Sequence, residues 1–164
     1  MLDVKQLQEY IIDPTLEHLG LYSLAASELM LGTAIQESRL TYLTQLDGDD
    51  DPYDDAIGLW QVERKTHDDI WDNWLRYRGD LVTRVTQISV RQTADEMLWN
   101  LYYSCAIARI HYRRVKEALP PAGDREGQAV YWKTHYNTHL GAGGVQEYVE
   151  NWERYVKPQL RKAV

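Results

Sequence analysis

Glu37 is the residue whose type and position best suit acid–base chemistry. It comes at the end of a largely apolar segment that begins at Ser23, so its carboxyl is expected at the C-terminal end of a buried helix. Desolvation and the negative end of the helix dipole both disfavour a carboxylate there, and both therefore raise its pKa. A glutamic acid that keeps its proton near neutral pH can donate it to a leaving oxygen.

Two later segments distinguish Glu37 from an ordinary exposed acid at a fraying helix end. The first follows an acidic loop and reads Gly58, Leu59, Trp60, Gln61. The second, residues 135–141, reads His-Tyr-Asn-Thr-His-Leu-Gly and contains Tyr136 and Asn137. Each segment is weak evidence alone, and only their order after Glu37-Ser38 is moderately specific.

In this order the three segments resemble the motifs of soluble lytic transglycosylases and goose-type lysozymes. In that family a Glu-Ser pair precedes a Gly-Leu-Met-Gln segment and an Ala-Tyr-Asn-Ala-Gly segment. The resemblance extends over residues 23–141, which is most of the chain. The chain departs from the family pattern in three ways. Trp60 occupies the place of the Met, the third segment lacks the Ala-Gly ending, and the loop between the first two segments carries an unusual acid run.

The resemblance implies a mainly α, lysozyme-like fold that forms one domain over residues 1–164, with a small irregular or hairpin lobe within residues 41–61. It implies a bacteriophage member of the family that cleaves the MurNAc-GlcNAc β-1,4 bond of peptidoglycan. Glu37 would be the general acid/base. The substrate-binding residues would be Ser38, Gly58, Leu59, Trp60, Gln61, Tyr136 and Asn137.

The mechanism stays open at the sequence level. Transglycosylases of this type use one Glu as acid and then as base, so that the muramic acid 6-hydroxyl closes onto C1 and gives a 1,6-anhydro product. A hydrolase with a second carboxylate is the alternative, and Asp54 and Asp55 are the nearest candidates by position. For Trp60, a core position and a sugar contact are equally compatible with the pattern.

Two other interpretations belong to different functional classes. The first is a phage virion structural protein that keeps the lysozyme-like fold with an idle site. The second is a helical interaction module in which Glu37 pairs with a basic residue such as Arg39 or Arg109.

The composition of the chain limits the kinds of partner that it is expected to bind. The net charge of −7 argues against nucleic acid, since phosphate binding needs clustered cations. No apolar run approaches the roughly 20 residues of a membrane span, and the N-terminus lacks the order of a signal peptide. We expect glycan strands, and for the virion interpretation other virion proteins, as partners. The expected location is the phage virion, or the host cytoplasm before delivery to the wall.

No metal or cofactor is expected. The acid run of residues 47–55 begins with the spacing of an EF-hand loop, but Pro52 stands where glycine is needed and Gly58 where the bidentate Glu is needed. The single cysteine, Cys105, lies among apolar residues and is interpreted as a core residue. The basic cluster of residues 109–116 is expected to complement a helix C-terminus.

Local signals predict the helices that must position these residues. Pro14 after Asp13 predicts a short helix ending near Gly20, and Ser23 caps the helix of Glu37. Thr66 and Thr93, each followed three residues later by an acid, predict capping boxes. Asp124 is expected to cap a helix reaching about residue 137.

Residues 81–90 fit strand or helix, and we favour helix. The spacing of Trp71, Trp74, Trp99 and Trp152 favours core positions.

Overall fold

The chain is mainly helical, as its sequence predicts, and carries one small pair of antiparallel strands. The computed structural model describes residues 1–45, 53, 55–137 and 143–161. The helices are α1 (Val4–Leu7), α2 (Asp13–Leu19), α3 (Leu24–Ser38), α4 (Arg64–Asn73), α5 (Gly79–Ile88), α6 (Leu101–Arg113), α7 (Arg125–His135), α8 (Val145–Tyr155) and α9 (Lys157–Arg161). A π-helical turn (Gln8–Ile12) joins α1 to α2, and 3₁₀ turns form at Leu75–Tyr77 and Ala94–Leu98.

Helix α3 is the buried centre of the fold. The Ser23 hydroxyl oxygen accepts the Ala26 amide at 3.1 Å, which is the predicted cap. Residues on every side of α3 are buried, including Leu29, Met30 and Leu31 in succession. A helix buried all round must pack against neighbours on all faces, so its C-terminal end is held rigidly.

Gly32 lets α8 approach α3. A Cβ atom at residue 32 would lie 2.0 Å from the Tyr148 hydroxyl oxygen and 2.5 Å from the ring carbon that carries it. Tyr148 is 1% exposed and its ring packs on Trp132 of α7, with centroids 5.6 Å apart. Glycine on α3 therefore leaves the space in which three helices meet.

The strand pair follows the acidic loop. β1 (Ala56–Ile57) pairs with β2 (Val62–Glu63) in the register Ala56↔Glu63 and Ile57↔Val62, and Thr44 forms an isolated bridge to Ile57. Thr44 and β1 lie in the region 41–61 that was predicted as an irregular or hairpin lobe, and β2 follows directly after it. Most of the acid run lies within residues 46–52 and 54, which are outside the described residues. The structure therefore does not test whether this loop binds calcium.

The Thr66 capping-box prediction is wrong. Helix α4 begins two residues earlier, at Arg64, and its N-cap residue Glu63 makes no side-chain capping bond. The strand β2 ends at Glu63, so the strand end and not the Thr66 side chain sets the helix start. The helix also ends at Asn73, well before Gly79, which instead opens α5.

The Thr93 capping-box prediction is wrong as well. Asn100 caps the long helix α6 by accepting the Tyr103 amide at 3.1 Å. Glu96 turns the other way, and its carboxylate accepts the backbone amides of Val90, Arg91 and Gln92 at 2.7–3.0 Å. An acid that satisfies a loop of free amides is not available for a capping box.

Other local predictions are confirmed. Helix α2 ends at Gly20, which is left-handed with a φ of 68°, and Asp124 caps α7 by accepting the Gly127 amide at 2.9 Å. Residues 79–88 are helical, and Cys105 is fully buried. Trp99 is 54% exposed, so its predicted core position is wrong. None of the described helices is both long and apolar enough to span a bilayer.

Replacing Gly32 by alanine should destabilise the fold. The new methyl group would overlap the Tyr148 phenol, and overpacking of this kind typically lowers the free energy of unfolding by about 1–3 kcal/mol. Urea denaturation measures the change. The matched control is Gly144→Ala, where a Cβ meets open space and φ is −124°. Equal stability of the two variants would contradict the close approach of α8 to α3.

Candidate active site around Glu37

The carboxyl of Glu37 lies against α7. The indole nitrogen of Trp132 donates a hydrogen bond to Glu37 Oε1 at 2.7 Å, and the Trp132 ring is fully buried. Glu37 is on the last turn of α3, and as a whole it stays partly accessible. The carboxyl is thus enclosed by protein while the residue keeps a path to solvent.

The pKa of Glu37 is raised from its ordinary value of 4.5 to about 7. Burial is the largest cause and acts against the charged form. The Trp132 hydrogen bond, the positive charge of Lys133 and a hydrogen bond with the Asn137 side chain act in the opposite direction. At neutral pH the two protonation states of Glu37 are therefore about equally populated.

Among the described residues, helix α7 and the residues directly after it supply the three groups that lower the pKa of Glu37. Trp132 and Tyr136 are four residues apart, and so are Lys133 and Asn137, so each pair lies on neighbouring turns. The Lys133 ammonium donates to Asn137 Oδ1 at 3.0 Å, which joins the second pair. The predicted residue Asn137 is therefore next to Glu37, as the site hypothesis requires.

Tyr136, the other predicted residue of the third segment, connects α7 to the strand pair. Its hydroxyl donates to the Trp60 carbonyl oxygen at 2.7 Å, and its ring packs 4.9 Å, between centroids, from both His111 and Tyr112 of α6. Burial and the nearby charge of Glu37 raise the pKa of Tyr136 well above its usual value, so the phenol stays neutral and remains a donor.

The Gly58–Gln61 turn fixes the Trp60 carbonyl. Gly58 has a φ of 76°, and a Cβ atom there would lie 2.7 Å from the Met97 carbonyl oxygen and 2.6 Å from Ser104 Oγ, so only glycine fits. Gln61 closes the turn with its side-chain amide donating to the Gly58 carbonyl at 2.7 Å. This segment is therefore a rigid turn between β1 and β2.

The buried side chains of the predicted set support the site and do not line it. Trp60 is fully buried and its indole donates to the Met30 carbonyl at 2.9 Å, which selects the core interpretation. Leu59 is 2% exposed. Ser38 is 1% exposed, and its hydroxyl donates to the Ala34 carbonyl and accepts the Leu40 amide, which holds the end of α3.

Left-handed backbone conformations cluster where these segments end. Arg39, Leu40 and Gln61 have φ values of 49°, 53° and 46°. Non-glycine residues adopt such values rarely, and they persist only where the surrounding structure enforces them. Two of the three directly follow Glu37-Ser38, so the chain turns sharply away from the carboxyl.

Within the described residues, no carboxylate contributes to the shift in the Glu37 pKa. A second carboxylate at the spacing of a retaining hydrolase would add a like charge next to Glu37 and appear among those causes. Of the two sequence candidates, Asp54 is outside the described residues. Asp55 is described and half-buried, and it is not among the groups that shift the pKa of Glu37.

The salt-bridge alternative for Glu37 finds no support in the described part of the chain. Arg39 is the exposed C-cap residue of α3, and neither it nor Arg109 forms an ion pair with Glu37. A salt-bridged acid would have a lowered pKa, whereas that of Glu37 is raised.

Sequence reasoning missed Trp132 and Lys133. They precede Tyr136 and Asn137 by one helical turn, and the motif pattern does not include them. The signal was helical periodicity, because a helix that brings Tyr136 and Asn137 to Glu37 also brings the residues four positions earlier. The rest of that segment, residues 138–141, lies outside the described residues.

No family model matches this chain, and comparisons with curated proteins and with solved structures give no match.

The raised pKa of Glu37 predicts how stability varies with pH. Because the folded-state pKa is about 7 and the unfolded value is 4.5, the folded state holds the proton more tightly. The stabilisation is complete below the unfolded value and is lost as pH rises through about 7. Glu37→Gln should remove this loss and raise the free energy of unfolding at pH 8 by about 3 kcal/mol.

Glu28→Gln is the matched control, on the same helix. The pKa of Glu28 is lowered by hydrogen bonds from Arg125, Gly123 and Gln128, although burial acts against that shift. Its stabilisation is present above the unfolded pKa and lost in acid, so the same substitution should destabilise the fold at pH 8. Urea titrations of the three proteins at pH 5 and pH 8 give the comparison. A destabilised Glu37→Gln at pH 8 would show that the carboxyl is not buried as described.

Trp132→Phe should raise the pKa of Glu37 further. The substitution keeps an aromatic ring but removes the indole N–H, which favours the charged form of the carboxyl. Carbon-detected NMR of glutamate-labelled protein should show Glu37 titrating near pH 7 in the wild type and higher in the variant. Trp152→Phe, which alters a ring stacked on Arg125, should leave the Glu37 titration unchanged.

Proposed function

We propose that this protein is a peptidoglycan-cleaving enzyme with a lysozyme-like fold, a lytic transglycosylase or lysozyme, in which Glu37 is the general acid/base at the MurNAc-GlcNAc β-1,4 bond. The observation that carries the proposal is the enclosed carboxyl of the partly accessible residue Glu37, at the end of the buried helix α3, with a pKa of about 7. The order of the three sequence segments supplies the substrate class.

A pKa near 7 suits one residue that must act twice. In the first step the protonated carboxyl donates to the glycosidic oxygen as the bond to C1 breaks. In the second step the carboxylate must take a proton from the nucleophile. A group whose two forms are equally populated at neutral pH can perform both steps without a large energetic penalty in either.

The neighbours of Glu37 support the ionised state that follows the first step. Proton donation leaves a carboxylate in a desolvated position, which is unfavourable without partners. The Trp132 indole N–H, the Asn137 side chain and the Lys133 ammonium each favour that carboxylate. They are in place before the reaction, so they need no rearrangement when the charge appears.

A single-acid mechanism agrees with the absence of a carboxylate acting on Glu37 among the described residues. In a transglycosylase the Glu37 carboxylate takes the proton of the muramic acid 6-hydroxyl, and the oxygen of that hydroxyl bonds to C1. The product carries a 1,6-anhydro ring. In a hydrolase, water takes the place of the hydroxyl and the product has a reducing end.

The supporting residues have separate roles in this proposal. Ser38 holds the end of α3, and the Gly58–Gln61 turn with Leu59 and Trp60 fixes the carbonyl that accepts the Tyr136 hydroxyl. Tyr136 in turn holds the end of α7, from which Asn137 reaches Glu37. Glycan strands are the proposed partner, and the phage virion or the host cytoplasm before delivery is the proposed location.

Glu37→Gln should abolish cleavage while the fold survives. Removing a general acid typically lowers the rate about 10²–10⁴-fold, and glutamine keeps the size and the acceptor for Trp132. Mass spectrometry of muropeptides released from purified sacculi measures both activity and product type. Anhydro-muropeptides identify a transglycosylase, and reducing ends identify a hydrolase.

The control for this experiment is Glu150→Gln, which changes an exposed acid of α8 by the same substitution and should leave activity intact. Circular dichroism confirms that the variants are folded. Equal muropeptide release by the wild type and Glu37→Gln would contradict the role of Glu37. Release by neither protein, from several wall types, would favour the virion structural protein with an idle site.

A further inference from the structure

A concave surface rich in cations lies apart from Glu37. It is a cleft of about 710 Å³ whose lining residues do not include Glu37. Its charged lining residues are Arg78, Arg84, Arg113, Arg114, Lys116 and Asp80. We call it the cationic cleft. Five cations and one acid face the same space in a chain whose net charge is −7.

Most of these cations have no acidic partner. Arg114 pairs with Asp69 at 2.6 Å. Within the described part of the chain, Arg78, Arg84, Arg113 and Lys116 form no ion pair, and the one lining acid, Asp80, pairs with none of them. Like charges gathered without counter-charges repel one another, and this repulsion opposes folding.

The helix dipole explains only part of the cluster. Arg113, Arg114 and Lys116 are at or just beyond the end of α6, where cations complement the free carbonyls. Arg78 and Arg84 belong to a different part of the chain, before and within α5. Their arrival at the same cleft is a tertiary feature that the sequence cluster at residues 109–116 does not predict.

Two of the guanidinium groups are held in fixed positions. Arg84 Nη1 donates to the His18 carbonyl oxygen at 2.8 Å, close to the left-handed Gly20. The Arg78 guanidinium stacks over the Trp74 ring, 4.6 Å from its centroid. Guanidinium groups held in this way lose little entropy when they bind an anion bidentately.

We propose that the cationic cleft binds a compact anion that carries at least two phosphate groups. Clustered arginines recognise phosphate through paired, charge-assisted hydrogen bonds. The volume lies in the range of small-molecule sites, and the apolar side chains of Leu21, Trp74 and Val115 line it as well. A long nucleic acid or an anionic membrane fits less well, because the cleft is concave and the rest of the chain is acidic.

Calorimetric titration with inorganic pyrophosphate tests this proposal on the full chain. The variant Arg113→Gln/Lys116→Gln removes two unpaired cations and should bind about tenfold more weakly. The control variant Lys5→Gln/Arg154→Gln makes the same net-charge change elsewhere and should bind like the wild type. Asp80→Asn removes the single lining acid and should bind more tightly than the wild type.

Several results would overturn the proposal. They are no measurable pyrophosphate binding, equal weakening by the two double variants, or no strengthening by Asp80→Asn. Tighter binding to an oligonucleotide or to phosphatidylglycerol vesicles than to pyrophosphate, lost in the cleft variant, would assign the cleft to that partner instead. None of these readouts involves wall cleavage, so the cleft proposal and the Glu37 proposal fail independently.

Discussion

The enclosure of the Glu37 carboxyl by α7 is the interaction on which the candidate site depends. A carboxyl at the end of an exposed helix would be hydrated and ionised, and it would have no proton to donate at neutral pH. Trp132 prevents that by covering the carboxyl with a buried ring and donating a hydrogen bond at 2.7 Å. The geometry requires α7 to lie close to α3, which is possible because α8 fills the space beside Gly32 and supports the Trp132 ring.

The turn between the two strands also holds α7 in this position. Tyr136 reaches the Trp60 carbonyl, and that carbonyl is fixed by a turn that only glycine at residue 58 permits. Trp60 also bonds to the Met30 carbonyl of α3. Helix α3, the Gly58–Gln61 turn and helix α7 therefore each contact the other two around Glu37. Because these contacts fix the backbone from several sides, Arg39 and Gln61 can keep left-handed conformations.

The sequence predicted the acid and its helix because those signals are local. An apolar run, a serine cap and a terminal glutamate lie within residues 23–38, and the structure keeps all three. The capping-box predictions for Thr66 and Thr93 were wrong because tertiary context used the residues otherwise, as the loop amides around Glu96 show. Trp132 was missed although it lies one helical turn before Tyr136, because the motif pattern does not extend that far. The cationic cleft was missed because it depends on which distant segments meet, and spacing along the chain carries no such information.

The chemistry proposed for the site depends on a balance between opposing effects on one carboxyl. Burial alone would hold the Glu37 proton so tightly that the residue could act as an acid but not afterwards as a base. Lys133, Trp132 and Asn137 partly offset that burial, and the pKa settles at about 7. Stronger compensation, such as a direct ion pair, would leave a carboxylate with no proton to give. Because the offset comes from groups on adjacent turns of one helix end, a small shift of α7 would move the residue towards one role and remove the other.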